Sequence, residues 1–402
     1  MCCTIAGTEL TGTYITSRGH HAVVKLDNGY NIGVPAASIV CREAAPAVAP
    51  VVSPAEQNPD LPDVAIISTG GTIASRIDYR TGAVTSQFSA DDILRAIPGL
   101  AEIASFRAHQ LATILSENMH SGLWQDIARC IYDEIRRGAE GVIVTHGTDT
   151  MSYSAAAVSF MLETPVPVIF VGSQRSADRP SSDNVMNALC SAQAAISNLG
   201  EVAVVMHAST SDDRCSIHRG TRVRKMHTSR RDAFRSVGIP PIGTVEYPSL
   251  EVSLSPSAVL RGSTEPALRD HFDNHVGLVA FYPGMDASAI AAYAGFHGLV
   301  ISGTGLGHVS ADCIRTISGL IRDGTNVVMT SQCLNGRVCD RVYDTGRDLL
   351  TAGVIEGEDM LPEAALTKLM WVLGSTDDPD EVKRLMQTNL RGELGRCSPH
   401  GL

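Results

Sequence analysis

The sequence predicts an α/β protein: two α/β domains with mostly parallel sheets, preceded by a small N-terminal β-barrel-like domain. Three observations predict it. From Val64 onward, apolar runs alternate with polar loops and amphipathic stretches, the rhythm of βα units joined by right-handed crossovers. A Pro/Ser-rich passage from Ile239 to Pro266 breaks that rhythm, which resumes at Val276. Ahead of Val64, short strand-like runs end in a stretch too rich in proline to build a core. At 402 residues the chain exceeds one ordinary core, which fits this division.

Taken in order, residues 1–43 are expected to form the small β domain. Gly12–Thr16, Ala22–Leu26 and Tyr30–Val34 read as strands, and Asp27-Asn28-Gly29 supplies a hairpin turn that tolerates positive φ. Residues 44–62 carry Pro46, Pro50, Pro54, Pro59 and Pro62 among Ala, Val and Ser, and read as an extended linker. The larger α/β domain, residues 63–255, reads as strands at Val64–Ser68, Gly141–Val144, Val166–Val171 and Val202–Met206, with helices at Ser89–Ile97, Ser152–Leu162 and Ser182–Leu199. An inter-domain connection over 256–275 leads to a smaller α/β domain, 276–402, built on Val276–Phe281, Gly298–Ile301, Ala311–Arg322, Val327–Thr330, Leu361–Leu373 and Asp380–Leu390. No internal repeat is evident.

Composition narrows the function. A formal charge of -11 argues against nucleic-acid binding through the whole surface, although a local basic patch could still serve. No run of eighteen apolar residues exists, so no membrane-spanning segment is expected. Met1 to Glu9 lacks both the basic start and the apolar stretch of a secretory signal. The cysteines are scattered without a Cys-x-x-Cys pair, which suits reduced thiols in a cytoplasm better than disulfides or a zinc site. A cytoplasmic location is therefore expected.

The residues able to carry chemistry gather at two strand ends, where ligands of such sheets bind. At the first, Ser68-Thr69-Gly70-Gly71-Thr72, the two glycines let the backbone approach a ligand and Thr72 offers a hydroxyl. A tight Gly-rich turn or a phosphate cradle is the plainer reading, although the Lys of a P-loop and the spacing of a dinucleotide fingerprint are missing. At the second, His146-Gly147-Thr148-Asp149-Thr150, Thr and Asp could equally be ordinary helix caps. A Thr nucleophile needs an activating partner, such as a Lys or Tyr with a displaced proton affinity. Only four lysines exist: Lys25 lies in the small domain, and Lys368 and Lys383 read as solvated positions on helix faces. The fourth, Lys225, belongs to a basic stretch from Arg214 to Arg235 that reads mainly as a solvated or inter-subunit loop, with contact to RNA phosphates as the functional alternative.

Val64–Ser75 (VAIISTGGTIAS) and Gly141–Thr150 (GVIVTHGTDT) resemble the two signature stretches of the bacterial-type L-asparaginase family, and the similarity extends from about Asp63 to Leu390. The N-terminal β module, the Pro-rich linker, Ser116-Glu117-Asn118-Met119 and the basic stretch further resemble the asparaginase-like subunits of archaeal tRNA-dependent amidotransferases.

The resemblance implies an asparaginase-like fold and a set of roles. Thr72 matches the Thr that attacks the side-chain amide, Gly71 lies beside it in the substrate site, and Tyr79 matches the Tyr that assists. Thr148, Asp149 and Lys225 match a second catalytic group, whereas His146 receives no chemical role. Ser116 falls where the family binds the substrate α-carboxylate, and Glu117 stands where asparaginases usually carry Gln. A carboxylate contributed by a neighbouring subunit has only Asp340 and Asp344 as candidates. The implied activity is release of ammonia from glutamine or asparagine, delivered to an E-type, tRNA-binding, kinase-like partner subunit that converts Glu-tRNA(Gln) to Gln-tRNA(Gln). ATP and Mg²⁺ are expected on that partner, with no cofactor and no metal in this chain, and the implied assembly is a homodimer within a heterotetramer. A free cytoplasmic L-asparaginase is the alternative reading, and a non-catalytic protein that kept the fold is a third.

Overall fold

The computed structural model describes residues 2–5, 8–26, 31–40, 57–70, 76–77, 84–85, 97–176 and 181–397. The expected hairpin turn at Asp27-Asn28-Gly29, most of the linker, and the expected helix Ser89–Ile97 apart from Ile97 lie outside the described residues.

The N-terminal strands are β1 (Cys2–Ile5), β2 (Thr8–Arg18), β3 (His21–Leu26), β4 (Asn31–Pro35) and β5 (Ile39–Val40). They form an antiparallel sheet in the order β4-β3-β2-β1-β5, with a bulge between Tyr14 and Thr16 that bends β2. Among the described residues β4 and β5 do not pair with each other. Its core is small, Val24 and Val34 with Leu10, Ile32 and Ile39 around them. At the end of the linker, the Gln57 amide bonds both the carbonyl and the N–H of Phe106, which fastens the chain to the next sheet.

That sheet has eight strands. They are β6 (Asp63–Gly70), β9 (Ser105–Ile114), β10 (Gly141–Thr145), β12 (Val168–Val171), β13 (Val202–His207), β14 (Arg214–Arg219), β17 (Gly243–Glu246) and β18 (Val252–Leu254), in the order β18-β17-β14-β13-β12-β10-β6-β9. Between them run the short strands β7 (Arg76–Ile77), β8 (Val84–Thr85), β11 (Leu162–Glu163), β15 (Val223–Lys225) and β16 (Phe234–Ser236). The helices are α1 (Ser121–Arg136), α2 (Met151–Met161) and α3 (Asn184–Ala195). The five strands from β9 to β13 are parallel, whereas β14, β17 and β18 add antiparallel, so the sheet is mixed. The Pro/Ser-rich passage thus contributes β17 and β18 before it becomes a connection, and the basic stretch is not a loop, since it forms β14, β15 and β16.

The C-terminal sheet is fully parallel, β20 (Val276–Ala280), β21 (Gly298–Gly303), β22 (Asn326–Ser331) and β23 (Ile355–Glu356), with β19 (Ala267–Leu268) pairing back to β11. Its helices are α4 (Ser288–Ala291), α5 (Ala311–Arg322), α6 (Asp344–Ala352), α7 (Pro362–Leu373) and α8 (Pro379–Met386).

Helix α2 shows why the two halves hold together. Its sequence, MSYSAAAVSFM, is buried over ten of eleven residues, as expected of a helix without a polar stripe. One hydrophobic core joins Val144, Ala156 and Val158 of the first half to Val300, Val328 and Leu369 of the second, and the Phe160 and Trp371 rings stack 6.3 Å apart across it. No helix of the described residues is long and apolar enough to cross a membrane.

Candidate active site at two strand ends

Strands β6 and β10 are parallel neighbours with Ser68 opposite Thr145, so both elbows open at the same edge of the sheet. The buried Thr69 hydroxyl donates to the Thr145 carbonyl (3.0 Å), tying one strand end to the other. Gly70 has φ +107°, and a Cβ there would meet the Ile114 carbonyl at 2.6 Å, so glycine is required where β6 passes the end of β9. The strand leads on to Gly71 and Thr72; these two residues and Tyr79 lie outside the described residues.

The second elbow is fully described. Lys225, at the end of β15, donates from Nζ to Thr148 Oγ1 (2.9 Å) and to Asp149 Oδ1 (2.7 Å), 77 and 76 residues away in sequence. The Lys225 side chain is mostly buried and the Asp149 carboxylate is two-thirds exposed. Helix capping is therefore not what Thr148 and Asp149 do. Thr150 occupies the N-cap position of α2 without a side-chain cap bond, and its hydroxyl instead donates to the Ser116 carbonyl (2.7 Å).

Ser116 opens the 3-10 turn Ser116–Asn118, immediately after β9, and is buried against Gly147. A Cβ at Gly147 would lie 2.7 Å from Ser116 Cβ and 2.9 Å from its Oγ, so only glycine lets the two loops close up. Gly172 plays the same part behind the elbow, where a Cβ would meet Thr148 Cγ2 at 2.9 Å and the His146 carbonyl at 2.7 Å. Gly147 and Thr150 belong to the second motif but carry no assigned role there, and Gly172 lies outside it, because close approach of distant segments leaves no periodic signal. Glu117 is exposed beside Ser116. The fold thus brings Thr148, Asp149, Lys225 and Ser116, with Glu117 beside it, to one edge of the sheet.

His146 is not a base for this site. It is fully buried against Phe170, and burial pulls its pKa down to about 4 although the Gly147 carbonyl opposes the fall. Its Nδ1–H donates to that carbonyl (2.7 Å) and Nε2 accepts from Ser154 Oγ (2.8 Å), which in turn accepts from Trp124 Nε1 (2.9 Å). One directed chain of hydrogen bonds satisfies a neutral imidazole and braces the elbow against α1 and α2.

A second network went unread in the sequence. Buried Asp183 accepts from Ser173 Oγ, from the N–H groups of Gln174 and Arg175, and from Asn187 Nδ2, while Asn187 Oδ1 lies 2.6 Å from His207 Nδ1. It fixes the loop after β12 on the same sheet edge. Ser182-Asp183 looked like a helix start, and indeed Asp183 precedes α3, but its carboxylate is spent on the loop.

The basic stretch is largely neutralised. Arg219 pairs with Glu201 (2.7 Å), Arg230 and Arg235 with Asp232 (2.7 and 2.5 Å), and Arg231 with Asp212 (2.5 Å). Arg222, expected in a solvated loop, is instead fully buried on Asp359 (2.9 Å), and Arg224 reaches the buried Glu363 of α7 at 3.6 Å. These pairs pin the Lys225 strand to the C-terminal half, and they leave little free charge for RNA phosphates.

Comparisons with known proteins bear on the same residues. The family model for the asparaginase N-terminal region matches residues 63–258, and the glutaminase/asparaginase C-terminal domain matches 275–386. The D-type subunit of the glutamyl-tRNA(Gln) amidotransferase of Methanosarcina mazei is 54% identical over 98% of this chain and 96% of its own, and that of Archaeoglobus fulgidus 53% over 96% and 93%. Among solved structures, the thermostable L-asparaginase from Thermococcus kodakarensis superposes with a TM-score of 0.74 at 33% identity, covering 83% of this chain and 99% of that one.

Proposed function

The chain belongs to the asparaginase family, and within it to the D-type subunits of glutamyl-tRNA(Gln) amidotransferases, and on that premise we propose that it releases ammonia from glutamine or asparagine for a partner subunit. The observation that carries the reading is the pair of contacts at the second elbow, where Lys225 holds both Thr148 and Asp149.

Thr72 is the nucleophile, and its Oγ attacks the side-chain amide carbon. The proton passes to Tyr79 or to the Thr148–Lys225 pair and then to the leaving nitrogen, so that ammonia departs and an ester remains on Thr72. Because Thr148 Oγ1 accepts from Lys225, its own proton is free to point towards a reacting group. Backbone N–H groups at the elbows, Gly71 among them, stabilise the oxyanion. Water then resolves the ester to the free acid. Ser116 binds the substrate α-carboxylate, and Glu117 receives its ammonium.

The ammonia goes to an E-type, tRNA-binding, kinase-like subunit that holds ATP and Mg²⁺ and amidates Glu-tRNA(Gln), in a cytoplasmic assembly of two copies of each chain. The test is ammonia release from glutamine and asparagine by the purified chain, then with its partner and Glu-tRNA(Gln). Thr72→Val abolishes release while the circular dichroism spectrum is retained; near-normal release would mean another nucleophile. Vigorous asparagine hydrolysis indifferent to partner and tRNA would instead favour a free asparaginase.

A further inference from the structure

Where the chain enters the C-terminal sheet, Asp273, His275 and His297 bring one ligand-type atom each within 4.8 Å of the others. His275 and His297 immediately precede β20 and β21, parallel neighbours with Val276 opposite Gly298, so both imidazoles leave the N-terminal edge of the same sheet. The backbone fixes them side by side, because the N–H groups of His297 and Gly298 both donate to the His275 carbonyl (2.9 and 3.2 Å). Asp273 is anchored in turn: its N–H donates to the Met370 carbonyl of α7 (2.8 Å), and its Oδ1 accepts from the His275 N–H (2.7 Å). Its Oδ2 lies 2.5 Å from His297 Nδ1 and its Oδ1 lies 3.5 Å from His275 Nδ1. The two imidazole rings stand 5.1 Å apart, and Phe296 sets its edge against His275. The Asp273 side chain is 15% exposed, against 70% for His275 and 59% for His297. A preset carboxylate thus faces two reachable, adjustable rings.

We propose that Asp273, His275 and His297 bind a divalent transition cation of the zinc class. Two imidazoles and one carboxylate, with solvent completing a tetrahedron, are a donor set that such ions take in preference to Mg²⁺ or Ca²⁺. Bonds of about 2.0–2.1 Å place two tetrahedral ligands about 3.3 Å apart. The Asp273–His275 spacing already matches, and rotation of the exposed His297 ring opens the shorter one. The ion acts as a clip. It joins the inter-domain connection, which carries Asp273, to the first two strands of the C-terminal sheet. The neighbouring Asn274 Oδ1 accepts from Ser121 Oγ at the start of α1 (2.5 Å), so the clipped segment also touches the larger domain. Asp273-x-His275, with His297 following at the head of the next strand, is the trace of the site in the sequence.

The full chain is titrated with Zn²⁺ by calorimetry and with Co²⁺ by visible spectroscopy, because its cysteines could capture either ion and a cobalt–thiolate bond has a charge-transfer band that nitrogen and oxygen ligation lacks. One equivalent binds in the micromolar range without that band and raises the melting temperature. His275→Ala and His297→Ala each weaken binding at least tenfold and leave ammonia release unchanged. As exposed residues their replacement leaves the metal-free melting temperature near that of the wild type. Equal affinity in both variants, a thiolate band, or no binding up to millimolar Zn²⁺ would each overturn the proposal, the last reducing the cluster to two ordinary His–Asp hydrogen bonds.

Discussion

Lys225 is the side chain that links the Thr148–Asp149 elbow to the rest of the fold, and its two bonds of 2.9 and 2.7 Å define what it can do. Lys225→Met removes the group that orients Thr148, and ammonia release is expected to fall roughly 100- to 10,000-fold, the usual weight of a proton-transfer group. Lys225→Arg does not restore it, because a guanidinium keeps its proton and its fork does not fit one hydroxyl and one carboxylate oxygen. The measurement is kcat with KM; a loss confined to KM would assign Lys225 to substrate binding alone. Asp340 behaves differently. Both its buried carboxylate oxygens lack a partner among the described residues, and burial, helped by Glu356 and opposed by Arg341, pushes its pKa up to about 7. Between its ordinary value of 3.8 and about 7, the folded chain holds a proton that the unfolded chain has released, so this group's contribution to stability declines as pH rises through that window. Melting temperatures compared from mildly acidic to mildly alkaline pH are expected to drop more steeply for the wild type than for Asp340→Asn. Parallel curves would show that Asp340 titrates normally.

Among the elements, those with strong periodicity were legible. Helix α5 lies over the very residues expected, Ala311–Arg322, and the buried runs at Gly141 and Val202 emerged as β10 and β13. The omissions have physical causes. Strand β9 alternates only weakly, since its edge position leaves much of it half exposed. In α1 the buried Trp124, Ile127, Ala128, Ile131 and Ile135 follow helical spacing, so this helix is written in the sequence as well. Strands β14 and β15 were hidden by charge, because a pattern of arginines reads as solvated unless their distant carboxylates are known. Lys368 failed for the same reason. Expected on a solvated helix face, it is instead fully buried in α7, 2.6 Å from Glu393, and also donates to the Met386 and Thr388 carbonyls. Burial lowers its proton affinity, which Glu393 opposes. The pair binds the segment after α8 beneath the core. Lys368→Met strands a buried carboxylate and is expected to cost about 3–5 kcal/mol in denaturant unfolding. Lys368→Met combined with Glu393→Gln, which keeps an acceptor for the Leu390 and Arg391 N–H groups, recovers much of that loss. If the double variant were as unstable as the single one, the stranded charge would not be the cause.

At the scale of the whole molecule, the two α/β halves and the N-terminal sheet obey different rules. The halves share one core through α2 and α7, so neither is expected to unfold without the other. That sharing is not visible in the sequence, where the Pro/Ser-rich passage reads as a boundary; what connects the halves is nondirectional apolar packing, the Phe160–Trp371 stack among it, between segments far apart in the chain. The site was legible in another sense: each strand-end motif announced itself, but only the fold brings Lys225 to Thr148 and shuts Gly147 against Ser116. Among the described residues the N-terminal sheet has a small core of its own and pairs strand to strand as a unit, so it is expected to contribute little to the stability of the remainder. Deletion of residues 1–45 is expected to leave intrinsic ammonia release within about twofold, as for a surface change remote from the elbows. Amidation of Glu-tRNA(Gln) by the reconstituted complex is expected to fall at least tenfold. Measuring both activities on one preparation separates the two roles: equal losses would mean that the small sheet supports the amidase itself, and no loss in either would leave it without a partner-facing task.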